Sequence, residues 1–418
     1  MRVAVVGAGM VGVSCAWALR RRGLDVWMID PGEPGGQTSH GNAGVLSPTS
    51  LLPFNHPGLW SQLPRLLRGK NPGFRLQPGH VLPRFSALTA FLAQARPSVL
   101  KVTAQALHQL ITLSRPLHQQ WMRQAGVAQR FREDGWLFLY RSEQAWQTAA
   151  WARDLYNEFG LSWQVLDPPE LAALEPDLSR GFAKALWVSG AASVDEPGEV
   201  VRALAHHLIE EGGVRFVRDA VLGLDREGPI WHLATAAGQR LQADRVVLAL
   251  GPWARDFLRA QWGWRLPMLH ERGYHLHYGW TGAGLRRPIY DTAGGYVLSP
   301  MSPGMRLTTG VELDEADAPA HSRMIEAAEA AARQVLPLGA RMEAPLWLGS
   351  RPTLPDSRPI LDAAPGQPGV WLALGHQHIG FSTGPGSGEL IAALMLGEAA
   401  PIDSSAFAAL RWGKGWLR

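Results

Sequence analysis

The sequence predicts an α/β protein of two domains, one on a parallel sheet and the other on a mostly antiparallel sheet with helices. Three observations lead to this fold class: a βαβ spacing in the first 30 residues, a second strand–glycine–helix pattern at residues 371–396, and alternating β character across residues 268–313. A chain of 418 residues also exceeds one compact core, so two domains are expected.

The N-terminal segment has the spacing of a Rossmann-like βαβ unit. An apolar strand at residues 3–6 leads into a Gly-x-Gly-x-x-Gly motif and a helical pattern, and a second strand at residues 26–29 ends in an acidic residue. In such units the glycines permit a tight turn and a close approach to a pyrophosphate, and the acid binds ribose hydroxyls. The predicted dinucleotide-binding residues here are Gly7, Gly9, Met10, Val11, Gly12, Asp30 and Pro31.

Further elements follow along the chain. Residues 35–44 are too glycine-rich for regular structure, and residues 51–130 are mostly helical in period. The pattern then predicts, in order, strand 135–140, helix 143–159, helix 197–211, strand 214–217, strand 241–250, the β region 268–313 and helix 320–335.

The C-terminal unit distinguishes between the two common dinucleotides. A strand at residues 371–374 is followed by a glycine-rich loop at 375–388 and a helix at 389–396. A nicotinamide enzyme does not need this second unit, whereas a helix N-terminus facing a flavin stabilises the negative charge of the reduced ring. The pattern therefore favours FAD over NAD.

The composition excludes several other classes. The 40 basic residues are offset by 36 acidic ones without a block of five basic residues, so no nucleic-acid partner is expected. The single Cys15 excludes a disulfide scaffold, and no metal site is recognisable. The apolar run at residues 3–19 is interrupted by glycines and too short to span a membrane, so neither a signal peptide nor a transmembrane helix is expected. The expected location is therefore cytoplasmic.

Several motifs together resemble a known family. They are Gly7-x-Gly9-x-x-Gly12 with Asp30, the segment 38–44 that is similar to a TSxxNAG loop, Arg272-Gly273-Tyr274, the segment 349–356, and the segment 375–388. The chain resembles, end to end, the glycine oxidase/D-amino acid oxidase superfamily of flavoproteins, and most of all bacterial D-amino acid dehydrogenases. It departs from them at Arg272, where lysine is frequent, and at Ser357, where glycine is frequent.

The resemblance implies a GR2-type FAD-binding domain made of residues 1–50, 191–261 and 346–418, and a substrate-binding domain made of residues 51–190 and 262–345. FAD is expected to be non-covalent, because no cysteine lies near the C-terminus. Further residues implied to bind it are Thr38, Ser39, Asn42, Ala43, Gly44, Val45, Gly251, Trp253, Gly375, His376, His378, Ile379 and Gly380.

The chemistry needs a held carboxylate, an un-ionised amine and an aligned Cα–H. Arg351 matches the family's carboxylate-binding arginine, and a guanidinium is well suited to that task because it is planar and bidentate. Arg272 is predicted as a second contact, with a structural ion pair to Glu271 or another acid as the alternative.

Four more residues complete the predicted catalytic set. Tyr274 and Tyr296 are expected to cap the substrate, with half-buried structural tyrosines as the alternative. His40 and His378 are expected to accept the amine proton or orient water, with histidines hydrogen-bonded inside loops as the alternative.

The resulting prediction is FAD-dependent oxidation of an amino acid, most of all a D-amino acid, to the imino acid, with electrons passed to a quinone or another carrier. Alternatives are a secondary or cyclic amino acid such as proline, hydroxyproline or sarcosine, or glycine; a flavin subunit of a larger complex; and an NAD-dependent dehydrogenase. The basic and apolar stretch at residues 59–92 is a candidate for peripheral contact with the inner membrane, with helices capping the substrate domain as the alternative.

Overall fold

The computed structural model describes residues 1–53, 73–76, 85–282, 284–342 and 346–417. Within these residues the strands, in chain order, are β1 Arg2–Val6, β2 Asp25–Ile29, β3 Val45–Leu46, β4 Phe74–Leu76, β5 Phe131–Arg132, β6 Trp136–Tyr140, β7 Gln164–Leu166, β8 Lys184–Val188, β9 Ala192–Val194, β10 Arg215–Val217, β11 Val221–Glu227, β12 Ile230–Thr235, β13 Arg240–Ala243, β14 Arg245–Leu248, β15 Leu269–Tyr278, β16 Ile289–Asp291, β17 Tyr296–Pro300, β18 Met305–Thr309, β19 Val311–Leu313, β20 Trp347–Thr353, β21 Ile360–Ala363 and β22 Val370–Leu374. The α-helices are α1 Met10–Arg21, α2 Phe85–Ala93, α3 Pro97–Gln124, α4 Glu143–Thr148, α5 Ala150–Glu158, α6 Pro168–Leu174, α7 Pro197–Glu210, α8 Ala254–Trp262, α9 Arg323–Ala332 and α10 Gly380–Leu396.

One sheet has the order β10-β2-β1-β14-β22-β21 and is parallel except for the edge strand β21. Its central strands are short apolar runs buried on both faces, as a parallel sheet covered by helices requires. The helices α1, α7 and α10 contribute to the core on one side of it. This is the parallel α/β layer that the N-terminal spacing predicts.

The second large sheet has the order β4-β19-β15-β18-β17-β16-β6-β8-β7, and β20 pairs with β15. Helix α9 covers one face of it, where Met324, Ile325 and Ala328 pack against buried residues of β15, β17 and β18. β20 was assigned by the sequence to the FAD-binding segments, yet it is hydrogen-bonded into this sheet. The domain boundaries themselves stay a prediction.

Two elements that the sequence predicts as continuous are each divided in the structure. The single strand at 241–250 is two strands, β13 and β14, because Asp244 between them bonds to Arg2 through its backbone N–H and its carboxylate, and so redirects the chain onto β1. The helix at 143–159 is interrupted at Ala149, where α4 ends and α5 begins.

The largest correction concerns the C-terminal helix. The glycine-rich residues 380–388 are the first two turns of α10 and not a loop. The missing side chains permit close helix packing, because a Cβ at Gly388 would lie 2.3 Å from the backbone oxygen of Ser14 in α1. Gly386 likewise lies against α3, where its N–H donates to Oγ of Ser114 over 2.9 Å.

We expect Gly388→Ala to destabilise the protein, because the new methyl group would have to push α10 away from α1. Overpacking of this kind costs about 1–3 kcal/mol or more in the free energy of unfolding. Thermal and urea unfolding of the variant would measure it. Gly181→Ala is the matched control, since a Cβ there has its nearest neighbour at 3.9 Å; equal stability of both variants would contradict the helix packing.

No helix in the described ranges is long and apolar enough to cross a membrane. Over the same ranges, no group of three histidine, cysteine, aspartate or glutamate side chains is arranged to hold a metal ion. The predicted membrane contact at residues 59–92 lies outside the described residues except for 73–76 and 85–92.

Candidate active site

The turn between β1 and α1 forms a cradle that side chains would fill. Gly7 has a φ of 110°, and a Cβ there would lie 2.4 Å from the carbonyl oxygen of Ala249. A Cβ at Gly12 would lie 1.9 Å from the oxygen of Gly7. Gly9 precedes α1 and provides no side-chain cap, which leaves a helix N-terminus suited to a phosphate. These features fit the pyrophosphate of FAD.

Asp30 is held at the end of β2 beside this turn. Its Oδ2 accepts the N–H of Ala8 and its Oδ1 accepts the N–H of Gly32, both over 2.8 Å. Burial raises the pKa of Asp30, and the two backbone hydrogen bonds oppose the shift. The carboxylate is therefore oriented next to the phosphate cradle, where ribose hydroxyls would lie, and the exposed Pro31 follows it.

The irregular segment 38–44 connects three parts of the site. The hydroxyl of Thr38 donates to the backbone oxygen of Ser350 in β20 over 3.1 Å. Oγ of Ser39 accepts the N–H of Met10, the first residue of α1, also over 3.1 Å. Asn42 donates to the backbone oxygen of His378 over 3.5 Å. The segment thus brings the substrate-domain sheet next to both glycine-rich helix N-termini.

The rest of this segment is shaped by its glycine. Gly44 has a φ of 74° and donates its N–H to Oδ1 of Asn42 over 2.8 Å. Ala43 is half-buried between them, and Val45 continues into β3 by pairing with Ser193. The predicted contacts of these residues with FAD stay a prediction.

The segment before α10 provides the second helix N-terminus. Gly375 has a φ of 80°, Ile379 precedes α10 without a side-chain cap, and Gly380 begins the helix. Nε2 of His376 lies 3.0 Å from Oγ of Ser387, and burial lowers the pKa of His376 to about 3. His376 is therefore a neutral residue that braces the first turns of α10, which leaves the N-terminus of the helix open toward a flavin.

Ser357 is one of the two departures from the family pattern, in which glycine is frequent at this position. Its φ of 57° lies in the left-handed region, where glycine is favoured. Its backbone oxygen accepts a hydrogen bond from the side chain of Gln377, which has a φ of 48°. The two strained residues join the loop after β20 to the segment before α10.

The predicted residues Gly251 and Trp253 lie in a 3-10 turn, Gly251–Trp253, that follows β14. Gly251 has a φ of 53°, which this turn requires. Trp253 is 53% exposed and so is not part of the core. Their contact with the cofactor stays a prediction.

Arg351 projects from β20 across the neighbouring strand β15. Its guanidinium donates to the backbone oxygens of Gly310 and Thr309 over 3.1 and 3.4 Å. It lies directly over Gly273, where a Cβ would be only 2.4 Å from Nη2. The absence of a side chain at position 273 therefore decides where the charge of Arg351 is placed.

Glu271 is the cross-strand partner of Arg351. Burial lowers the pKa of Arg351, and the negative charge of Glu271 opposes that shift. Burial also raises the pKa of Glu271, and Arg351 opposes it in turn. The hydrogen bonds of the guanidinium to the two backbone oxygens use two of its five N–H donors, so donors remain for a substrate carboxylate.

The strand register separates the predicted catalytic residues onto two faces of the sheet. Side chains alternate along a strand, so Glu271, Gly273 and His275 share the face of Arg351. Arg272 and Tyr274 point to the opposite face, toward α9, and Tyr296 joins them there through its pairing with Thr309. We therefore no longer assign these three residues to the same site as Arg351.

Their contacts explain their burial. Arg272 donates to Asp314 over 3.1 Å and lies 3.9 Å from Glu312. These contacts correspond to the alternative given above, a structural ion pair, and the partners are acids other than Glu271. The hydroxyl of Tyr274 donates to Glu312 over 2.6 Å. That of Tyr296 donates to Asp291 over 3.0 Å, so both tyrosines are structural.

The face of Arg351 contains residues that the sequence analysis missed. His275 stacks on Trp347 with ring centroids 4.4 Å apart, and His40 packs against His275 at 5.7 Å. Arg306 donates to the backbone oxygens of His40 and Asn42 over 2.9 and 2.6 Å. Trp347 lies four residues before Arg351 and His275 lies two residues after Gly273, and these even spacings would have placed both on this face once the pairing of β20 with β15 was known.

The two predicted histidines occupy different surroundings. His378 lies beside Arg351, and burial together with the nearby positive charge lowers its pKa to about 4. It is therefore neutral at pH 7. His40 is packed among His275, Trp347 and Gly198, where a Cβ on Gly198 would approach Nδ1 of His40 to 2.8 Å. Participation of either in proton transfer stays a prediction.

We expect Gly273→Ala to impair catalysis more than stability. The added methyl group would displace the end of a flexible side chain, which is tolerated, but it would move the guanidinium by more than 1 Å; misplacement of that size costs about 100-fold in kcat/KM. The matched control is Gly279→Ala, directly after the same strand, where the nearest atom to a Cβ is 4.0 Å away. Unchanged kcat/KM in Gly273→Ala would contradict the placement of Arg351.

A dinucleotide cradle, a second helix N-terminus without a side-chain cap and the half-buried guanidinium of Arg351 fit a flavin-dependent oxidoreductase of amino acids. The chain belongs to the DAO family of FAD dependent oxidoreductases, whose family model matches residues 2–394. This agrees with the resemblance noted from the sequence motifs and confirms FAD as the cofactor.

The chain is similar to individual proteins over nearly its whole length. It is 30% identical to a D-amino-acid oxidase of Bradyrhizobium diazoefficiens over 430 residues, covering 98% of both chains. Its fold matches glycine oxidase from Geobacillus kaustophilus with a TM-score of 0.74 at 21% identity, covering 98% of this chain and 99% of that one. It also matches L-proline dehydrogenase from P. horikoshii with a TM-score of 0.73 at 18% identity, covering 100% and 99%.

Proposed function

We propose that the protein oxidises D-amino acids to imino acids and passes the electrons to a quinone or another carrier. The observation that supports this most directly is the position of Arg351, which is half-buried over Gly273 on the sheet face next to the segment 38–44. The curated relative at 30% identity is a D-amino-acid oxidase, which supports the D-configuration.

In the proposed mechanism, the chain positions the substrate and controls its charge. Arg351 binds the carboxylate, and the backbone oxygens of Gly310 and Thr309 fix the guanidinium in place. FAD, when bound, would supply the acceptor for the hydride that leaves Cα. The neutral His378 adds no positive charge of its own beside Arg351, which suits a substrate amine that must be un-ionised to react. The helix N-termini of α1 and α10 stabilise negative charge on the cofactor.

FAD is proposed to bind without a covalent link through cysteine. The one cysteine, Cys15, is inside α1 and fully buried, and burial raises the pKa of its thiol to about 12. A thiol in that state is unreactive. Precipitation with acid should therefore release all of the yellow colour into the supernatant.

The test is anaerobic bleaching of the flavin absorbance by a panel of D- and L-amino acids, proline, hydroxyproline, sarcosine and glycine. We expect D-amino acids to reduce the flavin fastest. Faster reduction by proline, sarcosine or glycine would replace the proposed substrate class with a secondary amine or glycine. No reduction by any of them, together with a co-purifying partner, would instead indicate a flavin subunit of a larger complex.

A further inference from the structure

An aromatic wall extends from Arg351 along the same face of the large sheet. In the strand register, Thr308 of β18 pairs with Val297 of β17, Val297 pairs with Tyr290 of β16, and Tyr290 pairs with Phe138 of β6. Since directly paired residues point to the same face, these side chains form one row across four strands. The same row includes His275, which pairs with Thr308 and lies on the face of Arg351.

The far end of the row is aromatic. The ring of Phe138 meets that of Tyr290 edge-on with centroids 5.8 Å apart, and Trp136 packs on Phe138 at 4.3 Å. On the described residues of β6, β16 and β17, this face has no charged side chain: its members are Trp136, Phe138, Tyr140, Tyr290, Val297 and Ser299. The wall is therefore suited to an apolar ligand group.

The wall is partly open to solvent. Phe138, Tyr290 and Val297 are half-buried, but Thr308 and His275 in the same row are buried. Leu52, a few residues beyond β3, packs against the same aromatic cluster. His275 in the same row packs against His40, so this face is the side of the sheet that faces the segment 38–44.

The distances match an amino acid with a large side chain. The guanidinium of Arg351 reaches the backbone oxygens of Thr309 and Gly310 at the end of β18. A carboxylate bound there lies about one strand spacing, about 5 Å, from β17 and about 10 Å from β16. A methyl side chain does not cross that distance, whereas an isobutyl group reaches Val297 and a benzyl group also approaches the side chain of Tyr290.

We propose that Val297 and Tyr290, the latter packed against Phe138, form the side-chain pocket and select substrates with large apolar or aromatic side chains over glycine, alanine and charged amino acids. This inference rests on the proposed function for the role of Arg351. It adds the substrate class, which the family alone does not determine.

Binding and reduction are measured separately to test it. With FAD-loaded protein, calorimetry compares 3-phenylpropanoate with propanoate; both have the carboxylate, and neither has an amine to oxidise. We expect the aromatic acid to bind about tenfold more tightly or better, because burial of an apolar group in a fitting pocket gives at least that discrimination. Anaerobic flavin reduction then compares phenylalanine, leucine and alanine of the reactive configuration, and we expect the larger two to have kcat/KM about tenfold higher.

Val297→Phe fills the pocket and is expected to remove most of both preferences. Val297→Leu is a second variant with a smaller change, in case the first does not bind FAD, and it should reduce the preferences partially. Val102→Phe introduces the same side chain at a position on α3 that is 54% exposed and should leave both ratios as in the wild type.

The outcomes distinguish this inference from the proposed function. Equal binding of the two acids, or preferences unaffected by both Val297 variants, would overturn the pocket while amino acid oxidation could still stand. A tenfold preference for 3-phenylpropanoate that depends on Val297, with no flavin reduction by any amino acid, would support the pocket and overturn the proposed function.

Discussion

Replacing Arg351 by alanine is expected to lower kcat/KM for amino acid oxidation by about 100-fold or more. Truncating one partner of a buried, hydrogen-bonded charge pair costs about 2–5 kcal/mol, and each 1.4 kcal/mol corresponds to a factor of ten. The loss should appear mainly as weaker binding of substrate and of simple carboxylates, because Arg351 holds the group that does not react. Stopped-flow flavin reduction across a range of substrate concentrations measures both.

Arg351→Lys is the informative companion. It keeps the positive charge that opposes the burial-induced rise in the pKa of Glu271, so the fold should be retained. It removes the planar fork that spans Gly273 and reaches two carbonyl oxygens, so most of the catalytic loss should remain. Arg259→Lys, at an exposed position on α8, is the matched control. Activity of Arg351→Lys within a few-fold of the wild type would show that another residue binds the carboxylate.

Acidification is expected to destabilise the protein strongly between pH 6.5 and pH 5. Burial lowers the pKa of His118 to about 4, that of His376 to about 3 and that of His275 to about 2. In the unfolded chain these residues titrate near pH 6.5. Each therefore contributes stability that is complete above pH 6.5 and is lost as the pH falls from there toward the folded pKa.

The expected loss is about 1.4 kcal/mol per histidine and pH unit, or about 2 kcal/mol for each residue at pH 5. Urea unfolding measured at several pH values gives the slope. His118→Gln retains a donor for the backbone oxygen of Phe381, and it should lower the slope of unfolding free energy against pH by the contribution of about one proton. His206→Gln, at an exposed position of α7, should not. Equal slopes in both variants would contradict the buried neutral state of His118.

Local patterns predicted the parts of the fold that depend on near neighbours. The turn at Gly7, the helix α1 and the acid at Asp30 follow from sterics within one βαβ unit, and the structure has them at the expected positions. The predicted start of α10, at residue 389, was wrong because glycine has a low helix propensity and the residues before 389 are rich in it. Contacts with α1 and α3, far away in sequence, outweigh that propensity at Gly386 and Gly388.

The sequence by itself determined the cofactor class and singled out Arg351 as the predicted carboxylate-binding residue, because both depend on motifs that are continuous in the chain. The tertiary structure alone decided which side chains share a site with Arg351. A shift of one residue along a strand reverses the face of the sheet, and the pairing of β20 with β15 joins residues about 80 positions apart. Arg272, Tyr274 and Tyr296 therefore lie on the α9 side, whereas Gly273, His275 and Val297 lie on the side of Arg351.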